Sequence, residues 1–328
     1  MTQSKRILWP DLLKAFAISL VVVGHIVTTF DTEHYDAPVA RWIYSFHMPL
    51  FMMLSGMFFC YTLDKPFRSM FVTKCRTLLL PLLSWSLVLL AFQVIAEIIM
   101  GGGNPLQTIV LWAKSGGPLR GYWYLKCLFL YLIAGYVAVR LLKNRFFAAI
   151  ACIALFLILP NVNFTRMMIV FFWAGYAYSI LARKIEGQLL WYLLASAAVM
   201  TLCYVAGFYK LTYLGFSMDV ANYSKFLLMG ASASLFWMLL FQMIFSKPSG
   251  NKAIKFCAWV GTVSLGIYCM HALFYIPEVF GPLLGNITRG ATAVYLLWSL
   301  LTIVVCLMLI KLILKSRLLS FLLLGKRL

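Results

Sequence analysis

Acidic side chains are scarce in this chain: nine Asp and Glu stand against 28 Lys and Arg in 328 residues, for a formal net charge of +19. Charged residues of either sign reach only 11%, and there are four histidines. A soluble domain carries about 25% charged residues, so that class is excluded. The excess of base, taken alone, points to nucleic acid. The Lys and Arg, however, fall in short clusters between apolar runs and form no single patch, so no nucleic-acid partner is expected and the clusters read as topology signals. Paired cysteine motifs are also missing. Cys60, Cys75, Cys127, Cys152, Cys203, Cys257, Cys269 and Cys306 are scattered, with no C-x-x-C or Cys/His ligand spacing. That argues against a zinc site and a disulfide framework, leaves no metal expected, and makes these residues small buried filler. The first apolar run is long, carries charges and lacks a small-residue cleavage pattern, so no cleavable signal peptide is expected. No direct or inverted repeat is visible.

What is abundant is hydrocarbon: 63% of residues are hydrophobic and the mean hydropathy is +0.93. Long apolar runs separated by short basic connections define a polytopic, all-α membrane protein. Ten segments are long enough to span, near 10–30, 43–62, 77–99, 122–140, 146–162, 166–182, 189–209, 225–246, 256–277 and 292–314. Alternate connections differ in base content. One set holds Lys5 and Arg6; Lys65, Arg68, Lys74 and Arg76; Arg140, Lys143 and Arg145; Arg183 and Lys184; Lys247, Lys252 and Lys255; and Lys315, Arg317, Lys326 and Arg327. The other holds Arg41, Lys114, Arg120, Arg166, Lys210 and Arg289, with the acidic Asp31, Glu33 and Asp36. The positive-inside rule places the first set, and both termini, in the cytoplasm. Residues 1–328 read as one transmembrane domain with no extramembrane domain. The longest connection, Gly101 to Gly121, with GGGNP and SGGP, reads as an irregular, partly re-entrant outer loop. The final LLSFLLLGKRL is too short to span and is expected at the interface.

The first span is unusual for what it carries. WPDLLKAFAISLVVVGH holds Asp11, Lys14 and His25, groups that are expensive in hydrocarbon and that face a bundle interior or a water-filled cavity when present. Eleven residues separate Lys14 from His25, about three turns, so both project from one face about 16 Å apart. Asp11 lies one turn below Lys14. The topology then sorts polar groups into two layers. His25, His47 and His271 share the outer half of the membrane, with Trp123, Tyr124 and Lys126 entering from that side and Glu97 leaving there. Asp11, Lys14, Lys74 and Arg76 lie near the inner surface.

Each of these residues has a plain structural reading. His47 and His271 suit interhelical hydrogen bonds. Asp11 and Lys14 suit an interfacial ion pair. Lys74 and Arg76 suit topology charges, and Trp123 and Tyr124 an aromatic belt. His34, in a polar loop, suits simple solvation. His25 is the hardest to assign that way, because it lies below the interface and in register with Lys14. Pro49 and Gly56 in SFHMPLFMMLSG predict a kinked, closely packed helix near His47, and Pro81 behaves likewise.

Taken together and in order, DLLKAFAISLVVVGH, SFHMPLFMMLSG, KCRTLLLP, GYWYLKCLFLY and VSLGIYCMH resemble the acyltransferase-3 family of integral membrane acyltransferases, over essentially the whole chain. The FHMPLF variant is most similar to its fucose 4-O-acetylase-like branch. The resemblance implies that Lys14 and His25 match the family's basic residue, ten-residue gap and essential His. It further implies that Arg76 matches an important arginine at the start of the third span, that Ser55 and Gly56 match an SG signature, and that Ser264, Tyr268 and His271 match a terminal S-x-x-x-Y-x-x-H-like stretch. Members commonly move acetyl from acetyl-CoA to carbohydrate hydroxyls of surface polysaccharides or their precursors. A self-contained acyl-transferring unit in a bacterial inner membrane, or one needing a separate partner, is therefore expected.

The two layers suit that chemistry. Lys14, Arg76 and Lys74 are candidates to hold the phosphates of a cytosolic acyl-CoA donor. The pantetheine arm is about as long as the Lys14-to-His25 separation. His25 is the candidate catalytic group, as general base on a saccharide or glycolipid hydroxyl or as an acyl relay, with Lys14 and Asp11 beside it in the catalytic set. His47, Trp123, Tyr124, Ser264 and His271 would shape the acceptor side. The alternative is a transporter or flippase for a glycolipid or metabolite that uses the same buried charges, and a third reading is an assembly subunit of a polysaccharide machine. The acceptor sugar, the acyl group and the oligomeric state are not legible.

Overall fold

The computed structural model describes residues 7–30, 38–100, 103–119, 121–159, 165–208, 220–276, 279–280 and 292–326, and regular structure among them is entirely helical. The helix α1 (Trp9–Phe30) is the hub. Pro10 sits in its first turn, where a missing N–H costs nothing, and Asp11 beside it faces the positive end of the helix dipole. Around α1 pack α2 (Pro38–Met57), α11 (Val220–Phe245), α12 (Lys252–Thr262), α13 (Ser264–Met270) and α14 (Thr292–Ile313). Between α2 and α11 in sequence lie the four-residue α3 (Cys60–Leu63), α4 (Phe67–Lys74), α5 (Leu80–Met100), α6 (Pro105–Lys114), α7 (Trp123–Leu142), α8 (Arg145–Ile158), α9 (Thr165–Ile185) and α10 (Leu189–Val205).

Each of the ten expected segments is mostly helical over its described residues. Six helices among the described residues are long and apolar enough to cross a bilayer: Trp9–Phe30, Phe67–Ile99, Trp123–Leu142, Glu186–Val205, Val220–Phe245 and Ala293–Ile313. A seventh is the pair Lys252–Thr262 and Ser264–Tyr275, which bends by 57°. Arg145–Ile158 and Arg166–Ala182 are shorter apolar helices, and α2 has 20 residues but carries Arg41, Ser45 and His47. The segment expected as one straight span at 256–277 is thus two helices at an angle, the form of a broken span or of a re-entrant pair. Gly261 and Ser264 flank the break, the Gly/Ser pairing at which helices commonly kink.

Two helix crossings are backbone-close. A Cβ on Gly261 would collide with the Asp11 carbonyl, which seats α12 directly on the start of α1. Gly56 and Gly175 do the same for α2 and α9, each lying against the other helix's backbone at Phe172 and Met53. Small residues that let backbones touch supply the packing that hydrophobicity cannot supply between helices in lipid.

Three features go beyond the sequence reading. The connection expected as irregular contains α6, started by Asn104, whose side chain accepts from Leu106 N and Gln107 N with Pro105 at the first position. The third span begins with a π-helical turn, Cys75–Leu79, which holds Arg76 and joins α4 to α5. The C-terminal stretch forms α15 (Arg317–Leu324), capped by Ser316 and ended by Gly325 at φ 62°. It docks on α5, where Trp85 Nε1 donates to Leu323 O at 2.8 Å, and Gly325 lies against the Arg76 backbone. His34 and the acidic loop fall outside the described residues.

Replacing Gly261 with Leu forces α12 off α1. The expected result is a loss of about 1–3 kcal/mol or more in unfolding free energy, read by denaturant titration in detergent, whereas Gly187→Ala, which meets open space, leaves stability unchanged.

Candidate active site

Three of the four histidines converge with a set of tyrosines. The imidazoles of His25 and His271 have ring centroids 5.3 Å apart, and Tyr275 stacks on His25 at 5.1 Å and 9°. His47 reaches the cluster through Tyr44, whose ring lies 4.9 Å from His47 and 6.1 Å from His25. His47 and His271 are 1% and 3% exposed, while His25 is only half-buried. His25 is therefore the member open to a reacting group.

The local hydrogen bonds set its tautomer. Thr28 Oγ1 donates back to Gly24 O at 2.8 Å, the usual habit of a helical threonine. Its proton is thereby committed, so we assign Tyr44 Oη, 3.0 Å away, as donor to Thr28. Tyr44 then accepts from His25 Nδ1 at 3.4 Å. That leaves the Nε2 lone pair as the free, basic position of His25. Gly24 makes the arrangement possible, since a Cβ there would lie 3.0 Å from the Tyr44 ring. The same tautomer recurs in the neighbours. His47 Nδ1 donates to Ile43 O at 2.7 Å and His271 Nδ1 to Ile267 O at 3.1 Å. The Nε2 of His271 is buried with no hydrogen-bond partner among the described residues.

Beneath this cluster lies a cavity of about 240 Å³, lined by Lys14, Ser55, Thr77, Tyr124, Ser264 and Tyr268 among apolar residues. Lys14 enters it with its ammonium 3.4 Å from Asp11 Oδ1 and 4.7 Å from the centre of the Phe58 ring. Ion pair and cation–π contact together hold a charge that would otherwise be costly at this depth. At the wall, Tyr124 Oη donates to Phe51 O at 3.2 Å and accepts from Ser55 Oγ at 2.7 Å. Tyr268 closes the cavity toward the histidines, 5.8 Å from Tyr124 and 5.9 Å from His271. Trp123 joins through the Tyr124 ring, at 6.3 Å. Arg76 stands one residue before the cavity-lining Thr77, and its Nε is buried without a partner among the described residues. Its π-helical turn is a geometry frequent at functional sites. Lys74 is half-buried in the turn before it.

The structure thus brings His25, His47 and His271 into one cluster and Lys14, Tyr124 and Ser264 onto one cavity. It also adds residues that the sequence reading passed over: Thr28, Tyr44, Tyr122 and Tyr275. Their signal was helical spacing, with Tyr275 four residues after His271 and Tyr44 three before His47. No group of His, Cys, Asp or Glu suited to a metal occurs among the described residues.

Helices of membrane-spanning length packed around an imidazole cluster and a cavity define a polytopic, all-helical membrane protein. The acyltransferase-domain family matches residues 7–311, and the chain belongs to it. Over 80 residues it is 38% identical to Nodulation protein NolL of Mesorhizobium japonicum, a match covering 23% of this chain and 21% of that protein. The chain thus spans about a fifth of the length of that relative. No solved structure matches.

In nitrogen-15 spectra of histidine-labelled protein, His25 is expected to show Nε2 as the bare, pyridine-like nitrogen. Tyr44→Phe, which removes the acceptor for Nδ1–H, should mix the two tautomers of His25 and leave His47 and His271 unchanged.

Proposed function

We propose that this protein is an O-acyltransferase that moves an acyl group, acetyl by preference, from acyl-CoA to a hydroxyl of a cell-surface saccharide or its lipid-linked precursor. The observation that carries the reading is the half-exposed His25, its Nε2 left free by the Tyr44–Thr28 relay and its neighbours standing over a cavity that begins at Lys14. Family membership supports the acyl-transfer class. In the proposed topology ten segments span, both termini are cytoplasmic, and Lys14 and Arg76 lie on the inner side.

The residues present fit a polyanionic donor. Arg76 carries a buried Nε without a partner among the described residues, and Lys14 lines the cavity. Both, with Lys74, would hold phosphate oxygens, for which the arginine fork and the lysine point charge are suited. A thioester donor supplies an activated acyl carbonyl. His25 Nε2 takes the proton of the acceptor hydroxyl as its oxygen attacks that carbonyl, and returns it to the departing thiolate. Tyr44 steadies the Nδ1–H side throughout, and the low polarity of the surroundings excludes water as a competing acceptor. Asp11 positions Lys14 without touching the reacting atoms.

Membranes supplied with acetyl-CoA labelled in the acetyl group provide the test. Wild type is expected to release CoA and to label glycolipid or polysaccharide. At matched expression His25→Ala should lose transfer by at least a thousandfold, and Lys14→Ala should raise the donor KM about tenfold, or about 1.4 kcal/mol, with kcat largely kept. No CoA release with acetyl-CoA or longer acyl donors would overturn the enzyme reading in favour of transport.

A further inference from the structure

A second, larger cavity of about 670 Å³ lies between α5, α6 and the start of α7. Its polar lining is Ser86, Gln93, Thr108, Ser115 and Tyr122, and Trp112 adds an indole. From these residues we infer that this cavity is the acceptor subsite, built for one or two neutral sugar rings. The inference rests on the acyl-transfer reading and adds a location and a recognition chemistry to it.

Among the described residues that line it none is charged, which favours a neutral polyhydroxyl ligand over a phosphate, carboxylate or ammonium one. Its hydroxyl protons are already committed. Ser86 donates to Pro118 O at 3.3 Å, Thr108 to Glu97 Oε1 at 2.6 Å, Ser115 to Trp112 O at 2.9 Å and Tyr122 to Cys269 O at 2.8 Å. What they leave facing a ligand is lone pairs, so the cavity suits a guest that brings its own O–H donors. The Gln93 amide, half-buried and without a hydrogen bond among the described residues, supplies both donors and an acceptor at mid-helix, the pattern that pairs with neighbouring hydroxyls. Trp112 offers the flat apolar face against which the C–H side of a pyranose packs. At about 670 Å³ the space lies within the range of about 300–1,000 Å³ for small-molecule pockets.

Position completes the case. Tyr122 belongs to this cavity and holds a left-handed backbone at φ 48°, a strained geometry for a tyrosine. Its ring is 5.9 Å from Tyr268, and Tyr268 is 5.9 Å from His271, which adjoins His25. The cavity therefore stands behind a two-tyrosine partition from the catalytic imidazole, and the Lys14 cavity adjoins the same Tyr268.

The test needs no acyl donor. Purified protein in nanodiscs is probed by saturation-transfer NMR with methyl glucoside, galactoside, fucoside and N-acetylglucosaminide and with chitotriose. Wild type is expected to bind at least one of these sugars. Trp112→Ala and Gln93→Ala should each weaken that binding at least tenfold, Trp112→Tyr should restore most of it, and Lys14→Ala should leave it unchanged. All variants are checked for wild-type elution and thermal midpoint. Sugar binding unaltered by both alanine variants, or no binding of any probe by wild type, overturns the subsite. Sugar binding that follows this pattern in a protein that transfers no acyl group would retain the cavity and reject the enzyme. Acyl transfer whose acceptor KM ignores Gln93 and Trp112 would do the reverse.

Discussion

The backbone contact between Gly261 and Asp11 is the constraint on which the site depends. Because α12 lies directly on the first turn of α1, the chain that follows must leave that contact at a fixed height and angle. The 57° bend after Thr262 then carries α13 alongside α1, so that Tyr268 and His271 arrive at the level of His25. The same contact fixes the Asp11–Lys14 pair at one end of the cavity. A side chain at residue 261 would move both ends of the site at once, which is why a crossing remote from the imidazoles governs their placement.

The cluster also shows how three histidines are kept together without mutual repulsion. Each Nδ1–H is assigned to an oxygen of its own surroundings: Tyr44 Oη for His25, Ile43 O for His47 and Ile267 O for His271. For the two deeply buried rings that oxygen is a carbonyl one helical turn earlier, so the helix supplies the acceptor whatever the neighbours do. His25 differs because its acceptor is a side chain on another helix. Its basicity and aim are therefore adjustable through Tyr44 in a way that those of His47 and His271 are not.

Much of this was legible in the residues. Asp11, Lys14 and His25 stood out because bilayer energetics makes charge conspicuous, and the order of five motifs pointed to the family that residues 7–311 do match. The helical segments were readable from hydropathy. The π-turn at Arg76, the break at Val263 and the docking of α15 were not, since each depends on a tertiary neighbour and leaves no periodic trace. The helix α6 was hidden by its flanking glycines, although Asn104 followed by Pro105 is a local start signal. Tyr44 and Tyr275 escaped for a different reason. An aromatic in an apolar helix is usually core, and only the partner across the interface makes either of them part of a site.

In the proposed reading the tyrosine partition answers a problem that any enzyme holding a thioester beside a general base must solve. A continuous polar path from Lys14 to the Gln93 cavity would admit water and let a thioester hydrolyse beside the base. It would also let protons cross. Aromatic hydroxyls avoid both, because a ring fills the cross-section while its oxygen is tied to a backbone carbonyl, as Tyr122 is to Cys269 and Tyr124 to Phe51. Tyr268 touches both of these rings and His271. Tyr268 lines the Lys14 cavity and Tyr122 the Gln93 cavity, so both rings would have to move before the two spaces could meet at His25, with the rest of the bundle held by its backbone-close crossings.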